Sequence, residues 1–493
     1  MKNRFFVFIF LPTVVFFIIA FWLRGILLLD PDFGWHLKLG ELIVKQGFPK
    51  TDPFSYSMPS YPFVDYEWGS NVLIYLGYIT IGRIGLAAIY ALMAVGALWL
   101  AAGKKNTYSL IPVLFGAAVM LGTVGVRPQV ISWLFLAIVV RLVSEEIVWR
   151  RWRWTFPLLM TLWVNFHGSF PIGLLIAGLM IILRWYQKKK MNIQDATILL
   201  LGIAATIVNP YGVRDGYEVV RQMALGGDLM RKEIAEWLPW YVAPTMSFWI
   251  LVGLGGFLYS RYWKKMNWGE MGAAVILAVA GAASMRNMPL FAVPAVLVVN
   301  RGFKELGAEA KSVGAEGRFA LFVKILIGFS VLVLVGEGAL ALVKASQLSE
   351  ERFYPKEAVE FLKKKNYPGR LFSEYGWGGY LIWKYPEKKV YIDGRMSNFV
   401  WRAPAGEADY VFREYLELNE GKKTIAEVFQ KYRVETVLWS AQDTEEPKIK
   451  KLFSRFLGRG SGQKKNFLKR LEEAGWLRVY KDHLAAVYRR SNN

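Results

Sequence analysis

From Phe5 the chain is apolar almost without interruption to Trp22 (FFVFIFLPTVVFFIIAFW), and it then switches to DPDFGWHLKLG at 30–40. A run of that length matches the roughly 20 residues a helix needs to cross about 30 Å of hydrocarbon. Runs nearly free of charge recur at 84–103, 107–126, 130–148, 155–164, 171–186, 195–208, 244–260, 270–285, 290–300 and 320–344. Each predicts a membrane helix. A further apolar piece at 70–81 is too brief to cross and is expected in the interface or as a re-entrant segment. Past residue 348 the pattern shortens. YPKEAVEFLKKK reads as an amphipathic helix, and RLFSE, KKVYID, VETVLWS, WLRVYKD and LAAVYRR read as strands. Helical patterns at 424–432 and 464–474 separate some of them. The chain is thus read as a polytopic α-helical membrane protein of about eleven spans over residues 1–348. A soluble α/β domain with a mixed sheet follows over 349–493.

Composition agrees: 54% of residues are hydrophobic and 15% aromatic. There is no cysteine, which excludes disulfides and thiolate metal or redox chemistry. The net charge of +22 does not point to nucleic acid, because Lys and Arg accumulate beside membrane spans in any such protein. MKNR ahead of an apolar run also fits a secretory signal. No small-residue cleavage site follows, so a retained first helix is expected.

The basic residues set the sidedness. Lys2, Arg4, Lys104, Lys105, WRRWRW (149–154), KKK (188–190), RYWKK (261–265) and the segment after 300 all fall on one side if 70–81 does not cross and 155–164 does. The positive-inside rule makes that side cytoplasmic. The N-terminus is then inside. The first loop (30–69), RPQ (127–129), NFHGSF (165–170), NPYG (209–212), MRNMP (285–289) and the C-terminal domain are outside. Asp30, Asp32, His36, Asp65, Glu67, Arg127, Asn165, His167, Asn209 and Arg286 accordingly sit at outer helix ends. Ionisable groups at a membrane edge are candidates for function, and an outward-facing polar cavity is the economical inference.

Asp30 and Asp32 flank Pro31 where the first helix ends, as a solvated turn or as a carboxylate that takes a proton from a hydroxyl or holds a divalent cation. Asp65 and Glu67 in FVDYEWGS close the same loop, beside aromatics that also suit an interfacial belt. His36 and His167 could join the carboxylates around a metal, but no tight ligand motif such as HExxH occurs. Hydrogen bonding to a phosphate or sugar is the alternative role. Arg127 and Arg286 each open a returning helix and suit a phosphate clamp, or else snorkel. NPYG reads as a tight turn. In the C-terminal domain YGWGGYLIW (375–383) and YIDGR (391–395) stand out, with no phosphate loop. Asp393 and Arg395 would pair with each other or face the cavity. The domain carries 29 Lys/Arg against 20 Asp/Glu, so a basic face could rest on anionic headgroups or grip an anionic glycan.

DPDFGWH at one end of the first loop and VDYEWGS at the other resemble the GT-C superfamily of integral-membrane glycosyltransferases, loosely those grouped with dolichyl-phosphate-mannose-dependent protein mannosyltransferases. The resemblance covers residues 1–344. It implies a catalytic acid residue in the first external loop, a donor sugar on polyprenyl phosphate, and in some members a divalent cation such as Mg or Mn. Carried over, it makes Asp30 or Asp32 the catalytic base and implicates Asp65 or Glu67 in acceptor or metal binding. Asp32 and Glu67 are the ligands expected if a metal is present. Arg127, His167 and Arg286 would hold the lipid phosphate, with His36 beside the substrate. The expected partners are the bilayer of the plasma membrane, a polyprenyl-phosphate-linked sugar, and a glycan, lipid or protein acceptor of the cell envelope. Two other classes compete: a transporter or flippase of lipid-linked or anionic substrates, and a non-catalytic envelope-glycan assembly protein. No internal repeat supports a transporter, and no WWDYG-like oligosaccharyltransferase motif is present.

Overall fold

The predicted spans are helices. The computed structural model describes residues 11–103, 106–242, 245–441 and 467–490, and the side chains of all of these but 222–228. Lys2, Arg4, Lys104, Lys105 and the start of the 464–474 pattern lie outside the described residues. Helix α1 is Leu11–Leu27, α2 is Phe33–Gln46 and α3 is Trp68–Ala102. The remaining spans appear as Leu110–Leu121, Gln129–Ser144, Thr155–Phe166, Phe170–Lys188, Ile193–Ala205, Met246–Tyr262, Trp268–Ala283, Met288–Ser312 and Glu316–Gln347. Among the described residues three helices (α3, Phe170–Lys188 and Glu316–Gln347) are long and apolar enough to cross a membrane, and six shorter apolar helices accompany them. The outward faces remain apolar: Leu158, Leu175, Leu200, Val279 and Leu332 are each more than half exposed. Apolar surface on this scale marks contact with something other than water. The fold is a bundle made for lipid.

The short piece 70–81 does not cross on its own. It is the first part of α3, which breaks at Gly82, where φ is +67° and ψ −177°. Gly77 and Leu86 would stand about 13.5 Å apart in a straight helix, yet a Cβ on Gly77 would lie 2.5 Å from Leu86 Cδ2. The helix therefore folds back on itself. The break is pinned to the end of α1: the Trp22 indole donates to the Ile84 carbonyl (3.0 Å) and Arg83 to the Ile26 carbonyl (2.9 Å). The 68–81 arm then lies along α2, close enough that a Cβ on Gly40 would meet the Asn71 carbonyl at 2.1 Å.

The turn expected around Asp30 and Asp32 is present, and helix α2, which the sequence pattern does not announce, begins directly after it at Phe33. The helix buries Phe33, Trp35, Leu37, Leu39 and Ile43. The cover comes from the 68–81 arm on one side and from the C-terminal domain on the other, where Gly378–Lys384 forms a helix. Gly34 and the Gly379 carbonyl approach so closely that a Cβ would intrude to 2.0 Å, and Gly379 meets the Pro31 carbonyl at 2.2 Å.

The C-terminal domain holds a four-stranded sheet of β1 (Arg370–Ser373), β2 (Val434–Ser440), β3 (Trp476–Lys481) and β4 (Ala485–Arg490), ordered β1-β2-β4-β3. β1 and β2 run parallel and the other pairs antiparallel. The expected helices appear at Lys356–Lys365, Ile425–Tyr432 and Phe467–Glu473. KKVYID is not a strand of this sheet. Its hydrogen-bonding groups are taken by the first loop instead: Val390 N–H donates to the Phe54 carbonyl (3.0 Å), and Tyr56 N–H to the Val390 carbonyl (3.0 Å). Tyr56 Oη and Ser57 Oγ add bonds to the Leu371 and Tyr391 carbonyls. Loop and C-terminal domain are one packed unit.

Candidate active site

Where this unit meets the helix ends, a cavity of about 500 Å³ opens. Asp30, Asp32 and His36 line it from the turn into α2, Asp65 and Glu67 from the turn into α3, and Arg127, His167 and Arg286 from three helix ends. The eight residues expected at the site thus line a single cavity. Asn165 and Asn209 serve structure: Asn165 joins Trp68 to the Thr161 and Val208 carbonyls, and Asn209 closes the NPYG turn through Tyr211 N–H and the Gly212 carbonyl.

The two aspartates differ in what their oxygens do. Asp30 Oδ1 accepts the Asp32 N–H (3.0 Å) and its Oδ2 pairs with Arg127 (2.7 Å). Both of its oxygens are engaged. Asp32 Oδ1 accepts the Trp35 indole N–H at 2.9 Å, while Oδ2 accepts from no donor among the described residues. Asp32 sits at the start of α2, where the helix dipole favours a charged carboxylate by about 0.3–1 kcal/mol. Burial outweighs that and, with repulsion from Asp30, pushes its carboxyl up to about 7.

Three further groups are tied to one another. His36 Nδ1 lies 2.5 Å from Asn71 Oδ1, the Asn71 amide donates to both Asp65 oxygens (3.0 and 2.8 Å), and Glu67 N–H donates to Asp65 Oδ1. This chain fastens α2 to α3, so His36 and Asp65 reach the cavity with much of their bonding capacity used. Burial lowers His36 to about 3 and raises Asp65 to about 6. Glu67 faces His167 Nε2 at 3.3 Å, and burial raises it to about 8. His167 is held by Ser132 and Ser169 through Nδ1, and burial keeps it well below the usual imidazole range.

Arg127 and Arg286 come together on a residue the sequence reading missed. Glu236 Oε2 lies 3.1 Å from Arg127 Nη1, and its Oε1 lies 2.7 Å from Arg286 Nη1. Burial alone would raise Glu236, but the two guanidinium groups outweigh it and hold the carboxyl below its ordinary value. Arg127 is likewise held protonated against burial by Asp30 and Glu236. The signal was present: EW in IAEWLP (234–239) repeats the acidic-aromatic pair of YEWGS just ahead of a span. Also missed were Trp35, Tyr375 and Gly394, which line the cavity as well.

Among the described residues no three His, Asp or Glu side chains gather into a metal-binding group. Asp32 and Glu67 share the cavity, and a divalent cation held by two carboxylates would need phosphate or water for its other positions.

No family model matches the sequence, and no curated protein matches it. Solved structures do match. ArnT from Cupriavidus metallidurans bound to undecaprenyl phosphate superposes with a TM-score of 0.52 at 11% identity, over 99% of both chains. The oligosaccharyltransferase of Archaeoglobus fulgidus, tethered to an acceptor peptide, gives a TM-score of 0.54 at 12% identity over 99% of this chain and 75% of its own. The mycobacterial arabinofuranosyltransferase AftD gives 0.51 at 11% identity, over 97% of this chain and 39% of its own. The chain shares the fold of these structures. The match to ArnT extends beyond residue 344, so the C-terminal domain belongs to the shared architecture, which the sequence resemblance had left unplaced. Within this fold the cavity lies between the helix ends and that domain.

Proposed function

We propose that the protein is a membrane glycosyltransferase that moves a sugar from a polyprenyl-phosphate-linked donor to an acceptor hydroxyl or amide. The observation that carries this reading is the convergence of Arg127 and Arg286 on one carboxylate, in the cavity where Asp32 keeps one oxygen unengaged. Two arginines that share a carboxylate are spaced to share a phosphate. The donor's isoprenoid chain stays in lipid along the bundle while its phosphate takes the place of Glu236. The acceptor nucleophile attacks the anomeric carbon as the bond from that carbon to the phosphate oxygen breaks. Asp32 Oδ2 takes the acceptor's proton, and polyprenyl phosphate leaves with the electron pair, stabilised by both guanidinium groups. A carboxyl poised near 7 is suited to this transfer, and Asp30, engaged on both oxygens, acts by orienting Arg127. Where a divalent cation takes part, Asp32 or Glu67 would hold it beside the phosphate. ArnT and the Archaeoglobus enzyme were solved with undecaprenyl phosphate and dolichol-phosphate respectively, which supports a lipid-phosphate donor here.

In this reading about eleven helices cross the plasma membrane, with the N-terminus in the cytoplasm. The cavity and the C-terminal domain face outward, where envelope glycans are built. The test is transfer from a panel of polyprenyl-phosphate sugars by purified protein. Turnover in wild type, abolished in Asp32→Asn and reduced less in Asp30→Asn, is the expected result. Donor binding without transfer, indifferent to both substitutions, would move the assignment to transport or assembly.

A further inference from the structure

The turn Gly394–Asn398 lies against the first loop and is fixed there by a buried ion-pair network. Arg395 donates to Asp393 through Nε (2.8 Å) and Nη2 (2.7 Å), and to Asp52 of the first loop through Nη1 (2.7 Å). Its guanidinium packs on the rings of Phe54 and Phe63 at 4.9 and 5.5 Å. Removing one partner of a buried network of this kind leaves an uncompensated charge, so the turn has little freedom to retreat. Gly394 opens the turn and touches the candidate base. A Cβ there would fall 1.8 Å from Asp32 Oδ1, against 3.4 Å from Oδ2. Gly394 does not have a positive φ. Space rather than backbone conformation demands the glycine.

We propose that Gly394 is a positioning residue for Asp32: the C-terminal domain presses a side-chain-free stretch of backbone against Oδ1, so that Oδ2 is the oxygen presented to the acceptor. Trp35 completes the arrangement by donating to the same Oδ1, and Tyr375 Oη steadies the turn through the Gly394 carbonyl at 3.3 Å. This gives YIDGR and YGWGG a shared task. One brings the turn to Asp32, and the other docks Gly379 on the Pro31 carbonyl and α2 while Gly378 packs on the Ile392 carbonyl ahead of the turn. The inference rests on the glycosyltransferase reading and adds that the site is incomplete without the C-terminal domain.

The experiment compares Gly394→Ala and Tyr375→Phe with wild type in the full-length protein, using a donor that wild type turns over. In Gly394→Ala, kcat should fall about 10–100-fold, the expected consequence of displacing a reacting group by about 1 Å, while KM for the donor stays within about twofold. The pH midpoint of kcat should rise by roughly half a unit to one unit, because a displaced Asp32 loses the indole bond that favours its charged form. Tyr375→Phe should move the same quantities in the same direction by a smaller factor, and it keeps the test decisive if the alanine variant does not fold. Normal kcat and an unmoved pH midpoint per folded molecule, in Gly394→Ala or in Tyr375→Phe when only that variant folds, would overturn the positioning role and leave the glycosyltransferase reading standing. Absence of turnover in wild type with every donor overturns both.

Discussion

The two ends of the helical bundle carry similar residues and use them differently. At the end away from the cavity, Arg150 and Lys188 pair with Glu146, Arg261 with Glu309 and Lys265 with Glu305. The Arg261 and Glu309 side chains are 49% and 39% exposed. Surface pairs of this kind add little to stability, and their charge suffices to set topology. Glu270, paired with Arg301, and Asp195, paired with Arg153, are buried exceptions there. At the cavity end, Asp30, Asp65, Glu67, His36 and His167 are all buried. Desolvation there is expensive, so each charge needs a partner or gives up its ionised form. The difference teaches which charges to expect in chemistry: those the fold has removed from water.

Substitutions can sharpen this contrast. The largest effect is expected at Asp32. Asp32→Asn should lower kcat by about 10³-fold, since general-base catalysis contributes about 10²–10⁴. In wild type kcat should rise about tenfold per pH unit up to about 7 and then level off, because only the ionised carboxylate accepts a proton. A flat profile from pH 5 to 8 would remove Asp32 from that role.

Next come the arginines. Arg127→Gln and Arg286→Gln should each weaken binding of polyprenyl phosphate about 10–100-fold, the scale of a charge-assisted hydrogen bond of about 1.5–3 kcal/mol. Binding titration with the lipid phosphate alone measures it. Unchanged affinity in both would detach the pair from the phosphate.

A smaller effect is expected on stability at Glu67. Its folded carboxyl titrates near 8, above the ordinary 4.5. The unfolded chain therefore ionises first, and this group costs stability progressively as pH rises from about 5 to 8. Glu67→Gln should gain in Tm relative to wild type across that interval and gain nothing near pH 4. A difference that is constant with pH would contradict the burial account. Least of all, Arg261→Gln should change neither Tm nor turnover measurably, as fits an exposed pair.

Much of this arrangement was legible in the residues, and the reasons are physical. The apolar runs are long because hydrocarbon is thick, so the positions of the helices could be read directly. Basic clusters sort helix ends onto two sides, and of the ten polar residues so placed together, Asp30, Asp32, His36, Asp65, Glu67, Arg127, His167 and Arg286 line one cavity while Asn165 and Asn209 do not. Glu236 escaped because its EW pair marks only an acidic-aromatic segment and says nothing of the two arginines, 109 and 50 positions away, that it joins. KKVYID has strand composition, but its backbone partners lie in a loop more than 330 positions earlier. Helix α2 was hidden because its cover comes from the folded-back 68–81 arm and the C-terminal domain, neither of which is adjacent in sequence.

The sequence by itself determined that this is a bundle for lipid with an α/β unit behind it, and which helix ends share a face. Hydrophobic length and charge asymmetry act locally along the chain and need no tertiary information. Tertiary structure decided the rest. It engages both oxygens of Asp30 and leaves one of Asp32 unengaged, it joins two arginines through Glu236, and it brings Gly394 to Asp32 across some 360 positions of sequence. Proton affinity, orientation and pairing depend on what lies within a few ångströms in space, and only the folded chain fixes those neighbours.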